Sequence, residues 1–146
     1  MIELVVNNAL AGKKIRRQFF ETILTRAQVI SGLATQPLGL SINLVTAKQI
    51  RSLNRRYRAK DKVTDVLAFP LGKNENTAIM EIGDIFICLP RAAADARAEK
   101  ITLEAKLTFL TVHGFLHLLG YDHEKSEKDR KEMEKLENKI LTPGYF

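Results

Sequence analysis

The sequence predicts an α/β (α+β) domain with a four-stranded mixed sheet packed by helices around one central helix, on three observations. Strand-like runs are interleaved with helical periodicities along the first part of the chain, and only helical signals follow. Between Leu107 and Tyr121 there is no Lys, Arg, Asp or Glu, so a helix there is apolar all round and must be central. The 146 residues, 45% hydrophobic and 27% charged, suit one domain spanning 1–146. A chain of that size buries about two-thirds of its unfolded surface in a single core.

Residues 2–6 are a β-branched apolar run ended by Asn7 and Asn8, a strand. From 13 to 30, Ile15, Phe19, Ile23, Ala27 and Ile30 recur at three and four, the period of an amphipathic helix, with Lys13, Lys14, Arg16 and Arg17 on its solvated side. Gly32 stops it, and Gln36 before Pro37 is biased to extended backbone. Residues 40–45 alternate as a half-buried strand. Thr46 caps a helix over 47–57 with Ile50, Leu53 and Tyr57 inward, which turns the basic side chains outward. Residues 63–69, closed by Pro70, and 82–89 read as further strands, joined by a Gly-, Lys- and Asn-rich turn at 72–76. Pro90 suits the first turn of a helix to about residue 100, and Thr102 with Ala105 opens the central one. The last helix, 126–141, turns Met133, Leu136 and Ile140 inward. Its charged face, with six acids and six bases between 124 and 139, is read as structure and not as chemistry.

No basic N-terminal region precedes a long apolar run and no apolar stretch reaches membrane-spanning length, so a soluble, cytoplasmic protein is expected. The single cysteine, Cys88, forms no internal disulfide and reads as a small buried hydrophobe in a strand. The net charge of +6 is concentrated. Lys48, Arg51, Arg55, Arg56, Arg58, Lys60 and Lys62 stand against Asp61 alone, an excess equal to that of the whole chain. Such a patch is the electrostatic footprint of nucleic acid.

Every histidine of the protein lies in VHGFLHLLGYDH, residues 112–123. His113 and His117 are four apart and share a helix face. Gly120 can take the left-handed conformation that ends the helix and turns the chain back, delivering His123 as a third ligand. HxxxHxxGxxH is the ligand spacing of metzincin zinc proteases, but Gly114 stands where those enzymes carry the glutamate that serves as general base. Three imidazoles suit a catalytic zinc site with a fourth position open to water, and the set also accepts nickel or copper.

HGFLHLLGYDH at 113–123, YRAKDKVTDVLAFP at 57–70 and GDIFI at 83–87 together resemble the YbeY family, bacterial single-strand-specific metallo-endoribonucleases tied to rRNA maturation and ribosome quality control. The resemblance runs from about Asn54 to His123. It implies one zinc ion on His113, His117 and His123, a functional role for Arg58, an RNA substrate processed at the 16S rRNA 3′ end, and a ribosomal partner. Val63 and Ala68 depart from the family's usual proline and serine, which touches the stiffness of that loop and a hydrogen bond but no ligand.

On this reading the catalytic residues are Arg58 and the ligand His113, Arg58 offering a planar fork to phosphate. Arg55, Arg56, Arg58 and Lys60 bind RNA. Tyr57, spaced with Leu53, is read as core in preference to a base-stacking platform. The general base stays open among Asp122, Glu124, Asp61, Asp65, a second water and the RNA 2′-hydroxyl, and Asp122 can instead orient a ligand histidine. Two other functions use the same motif: a metallopeptidase-like hydrolase, and a non-catalytic ribosome-assembly factor with a structural zinc.

Overall fold

The computed structural model describes residues 2–10, 14–71 and 78–142. Its elements are β1 (Ile2–Asn8), α1 (Arg17–Ile30), β2 (Leu38–Val45), α2 (Ala47–Arg58), β3 (Val66–Pro70), β4 (Met80–Cys88), α3 (Leu89–Glu99), α4 (Leu103–Leu118) and α5 (Glu127–Leu141). The sheet is mixed, as expected, in the order β1-β2-β4-β3. β2 runs parallel to β1 and β4, and β3 is antiparallel to β4 at an edge. The turn expected at 72–76 lies outside the described residues.

Alternation decides which side of the sheet faces which helix. Leu38, Leu40, Ile42 and Leu44 of β2 are buried in the main core with Phe20 and Leu24 of α1 and Leu107, Leu110 and Phe115 of α4. Val45, Leu67 and Cys88 face the other way and form a second cluster with Ile50 of α2. Along β4 the parity is reset by a bulge: Gly39 pairs with Glu81 but Leu40 pairs with Gly83. The extra residue puts Ile82, Ile85 and Ile87 all on the main-core side. Gly83 has φ +139°, and a Cβ there would run into the Phe69 carbonyl oxygen of β3, so this position requires glycine.

Three helix starts follow their sequence signals. Thr46 Oγ1 accepts from the Gln49 amide at 3.2 Å while Gln49 Oε1 accepts from the Thr46 amide at 2.9 Å, a reciprocal capping box. Thr102 Oγ1 accepts from Ala105 N at 3.0 Å, and Ser126 Oγ from Asp129 N at 3.1 Å. Each such cap is worth about 1 kcal/mol.

Three expectations need correction. The first helix begins at Arg17 and not at 13, because Arg16 is extended and Arg17 Nε donates to the Leu4 carbonyl of β1 at 2.9 Å. That tie sets the helix so that Phe20, Leu24, Ala27 and Gln28 are its buried row. Strand β3 begins at Val66 and not at 63, and just before it the Asp65 carbonyl accepts from Cys88 N of β4 at 2.9 Å. Tyr57 is not core but 60% exposed. The buried row of α2 runs through Ile50 and Asn54, and the tyrosine ring lies past it, edge-on to Phe69 on the edge strand.

Candidate metal centre

Helix α4 lies against β3 and β4 with α1, α3 and α5 around it. Leu107, Leu110, Val112, Phe115 and Leu116 are buried to 1% exposure or less, which leaves His113 and His117 on the half-open side. The helix ends in a Schellman motif. Tyr121 N donates to the Leu116 carbonyl and Gly120 N to the His117 carbonyl, both at 3.0 Å, and Gly120 sits at φ +99°. The turn carries the chain back over the helix end and brings His123 to the other two histidines.

The three rings stand with centroids 4.6, 5.3 and 5.3 Å apart, and one nitrogen from each lies within 4.8 Å of the others. His113 Nε2 and His117 Nε2 are 3.1 Å apart. His113 Nδ1 lies 3.2 Å from Glu137 Oε1 on α5. A carboxylate accepts, so Nδ1 carries the proton and the Nε2 lone pair faces the cluster. Among the described residues His123 Nδ1 is buried with no hydrogen-bond partner. Burial, then the charges His113 and His123 would carry, then Arg58, push His117 below its ordinary value against the opposing pull of Asp122.

These observations fit a metal ion. Two ring nitrogens converge, a third buried nitrogen lacks a partner among the described residues, and the donors are imidazoles, which zinc accepts in their neutral form. Among the described residues no other ligand-bearing side chain joins the cluster, and Cys88 is buried in the α2 side of the core.

The cluster forms one wall of a cleft of about 320 Å³. Arg58, Lys60 and Lys62 reach into this cleft, as do Thr64, Asp65, Asp122 and Glu124. The basic segment is held there by a buried residue that sequence reasoning did not single out. Asn54 is 2% exposed, its Nδ2 donates to the Lys62 carbonyl at 3.0 Å, and its own carbonyl accepts from Lys60 N at 3.2 Å. Ala59 between them takes the left-handed conformation at φ 56°. The loop therefore folds back over the end of α2 and lines the cleft that the histidines share.

Of the expected RNA-binding residues, Arg58 and Lys60 line the cleft, while Arg55 and Arg56 are exposed on α2 outside it. Asp122 Oδ1 accepts from the Glu124 amide at 2.8 Å, which holds its carboxyl below the usual range. Asp61 is outside the cleft, paired with Arg51 at 2.8 Å. The residue sequence reasoning missed altogether is Glu137. Its helix was assigned no chemistry, and only a count of which buried charges need partners would have marked it. Gly114 lies against β4: a Cβ there would be 2.9 Å from Ile85 Cγ2, so the position where a zinc protease keeps its base has no room for a side chain.

Residues 6–143 match the model of the family described as Endoribonuclease YbeY. Over 94% of its length the chain is 39% identical to the Endoribonuclease YbeY of Sulfurihydrogenibium sp. (strain YO3AOP1), covering 90% of that protein. It is also 39% identical to that of Aquifex aeolicus (strain VF5), over 91% of this chain and 87% of the relative. A Thermotoga maritima protein solved in solution superposes on 97% of the chain and over 87% of its own length, with TM-score 0.63 and 30% identity.

Proposed function

The chain belongs to the YbeY endoribonuclease family, and from that membership we propose that it cuts single-stranded RNA with one zinc ion held by His113, His117 and His123. Its proposed substrate is the 3′ end of precursor 16S rRNA, matured and checked on ribosomal particles in the cytoplasm. The observation that carries the reading is the meeting of three converging imidazoles with Arg58, Lys60 and Lys62 in one cleft.

When bound, the ion supplies a Lewis acid for a phosphoryl oxygen and a water nucleophile of lowered pKa. The residues supply the rest. Arg58 offers two N–H donors to the phosphate oxygens on which charge builds as the scissile bond breaks. Lys60 and Lys62 hold the neighbouring backbone, and Arg55 and Arg56 extend the basic track along α2. Glu137 keeps His113 in the tautomer whose Nε2 faces the cleft. For the proton, the cleft places Asp65, Asp122 and Glu124 near the histidines, and Asp61 is committed to Arg51. Asp122, held acidic by the Glu124 amide, is the weaker base and the better fixed negative charge.

A peptidase reading lacks its base, because Gly114 packs on Ile85. A purely structural zinc calls for a closed set of four protein ligands, and the described residues offer three. The test is cleavage of single-stranded against duplex RNA by purified zinc-loaded protein, with His117→Ala as the control for contaminating ribonuclease. Cutting of the single strand alone, lost in the variant, is the expected result. Equal cutting by both proteins overturns the reading.

A further inference from the structure

We propose that Tyr57 is a stacking platform for a nucleobase of the RNA strand whose backbone lies on the basic track, an inference that rests on the functional reading above. Its ring is 60% exposed, on the last turn of a helix whose neighbouring side chains Arg55, Arg56 and Arg58 are exposed too. Leaving so large an apolar side chain in water forgoes the stabilisation that burial would bring. The ring is nonetheless held in place. It meets Phe69 edge-on at 5.3 Å and 65°, and Phe69 in turn meets Phe86 of β4 edge-on at 5.7 Å and 75°. The Arg56 guanidinium stands 6.0 Å from its centroid. A rigid aromatic set among cations of one sign matches a polyanion that also carries flat rings, and does not match an apolar protein surface.

The neighbouring residue ties this platform to the reaction. Arg58 follows Tyr57 directly and lines the metal cleft, so the last turn of α2 carries both a π-face and a phosphate-binding fork. A strand that places a phosphate on Arg58 brings an adjoining base within reach of Tyr57. Every base has a π-face, so the contact is indifferent to sequence, but a base already stacked and paired in a duplex is not free to make it. The platform thus supplies a selection for unpaired RNA that the cations cannot, since they bind the phosphates of either form.

The experiment uses zinc-loaded protein and short single-stranded RNAs carrying one 2-aminopurine, moved along the strand from one oligomer to the next, together with matched oligomers abasic at the same position. Fluorescence is read in a stopped-flow instrument before cleavage. At one position the unmodified protein should quench the probe and bind the base-bearing strand about tenfold tighter than the abasic one. Tyr57→Phe, which keeps the ring, should retain both effects. Tyr57→Leu, which keeps the cover over Phe69, should lose the quench and bind both strands alike, with zinc content unchanged. A Tyr57→Leu protein that still prefers the base-bearing strand, or that loses affinity equally for both, overturns the platform. Failure of the unmodified protein to bind any single-stranded RNA would instead sink the functional reading on which it rests.

Discussion

Glu137 on α5 holds its Oε1 3.2 Å from Nδ1 of His113 on α4, joining α5 to the first of the three clustered histidines. Glu137 is 8% exposed, and its carboxylate has little water to offset its desolvation, so the imidazole is its compensating partner. The pair couples packing of α5 to the direction in which a ligand lone pair points.

Removing that carboxylate should loosen the metal without removing a ligand. Glu137→Ala is expected to weaken zinc binding about 10- to 100-fold, and Glu137→Gln, which keeps an acceptor oxygen, by less. Competition with a chromophoric chelator measures both. Wild-type affinity in the alanine variant would remove Glu137 from the site.

His117 sets a pH dependence in the metal-free protein. Burial first, then His113 and His123, hold its pKa below the ordinary value of 6.5. As pH falls through that value the unfolded chain takes up a proton that the folded chain refuses, so folding stability declines and then levels off below the folded pKa. Urea denaturation of chelator-treated protein from neutral to mildly acid pH should show the decline, and His117→Ala should show less of it. Zinc affinity should fall over the same range, because only neutral imidazole binds the ion. Identical pH profiles for the two proteins would contradict the assignment.

Arg58 and Arg55 share a charge and differ in place, one in the cleft and one outside it. Arg58→Lys keeps the charge but loses the fork, and should lower the single-turnover cleavage rate about 100-fold with little change in RNA affinity. Arg55→Ala should leave the rate at saturating RNA alone and reduce the salt slope of binding by about 0.7, the single-strand value for one phosphate contact. If both variants lose only salt-dependent affinity, Arg58 is one more charge in the patch.

Gly114 is a packing position. Gly114→Ala puts a methyl 2.9 Å from Ile85 Cγ2 in a fully buried contact. Overpacking of about 1–3 kcal/mol is partly offset by about 1 kcal/mol of helix propensity, for a net loss of up to about 2 kcal/mol. Gly114→Glu adds a carboxylate to the same space and should prevent folding, with no gain of peptidase activity. Circular dichroism under urea, beside a peptide-cleavage assay, tests both. A folded glutamate variant that hydrolyses peptides would revive the protease alternative.

Asn54→Ala removes the side-chain donor that holds the Lys62 carbonyl. The expected cost is about 1–2 kcal/mol in folding. RNA affinity should also drop, through the freed Lys60 and Lys62, while zinc affinity stays at the wild-type level. Unchanged RNA binding would show that the loop keeps its place without Asn54.

What could be read from the chain before its structure was the part written locally. The three histidines fall within eleven residues, and Gly120 announces the turn that brings the third to the first two. Thr46, Thr102 and Ser126 mark helix starts because a cap acts over three residues. Glu137 was illegible for the opposite reason: it lies 24 residues from His113, one of five acids on a charge-balanced helix, and only the docking of α5 separates it from the rest. Asn54 is concealed in the same way, since the carbonyl it holds comes from a loop folding back on itself. Tyr57 was misread because periodicity reports which side of a helix is apolar, not where the sheet beneath it stops. The strand order and the β4 bulge depend on pairing between distant segments, which no local pattern contains.

The position of Glu137 on the last helix also gives the protein a clock. Translation adds residues in chain order, so a growing chain has all three ligand imidazoles once His123 has emerged, while the carboxylate that orients the first of them is still to be made. If Glu137 orients His113 toward an ion, the site reaches its full grip only when α5 has been synthesised and has docked. By the order of its residues alone, an RNA-cutting enzyme assembled on a machine made of RNA would thus gain its full hold on an ion only after α5 has followed the histidines out.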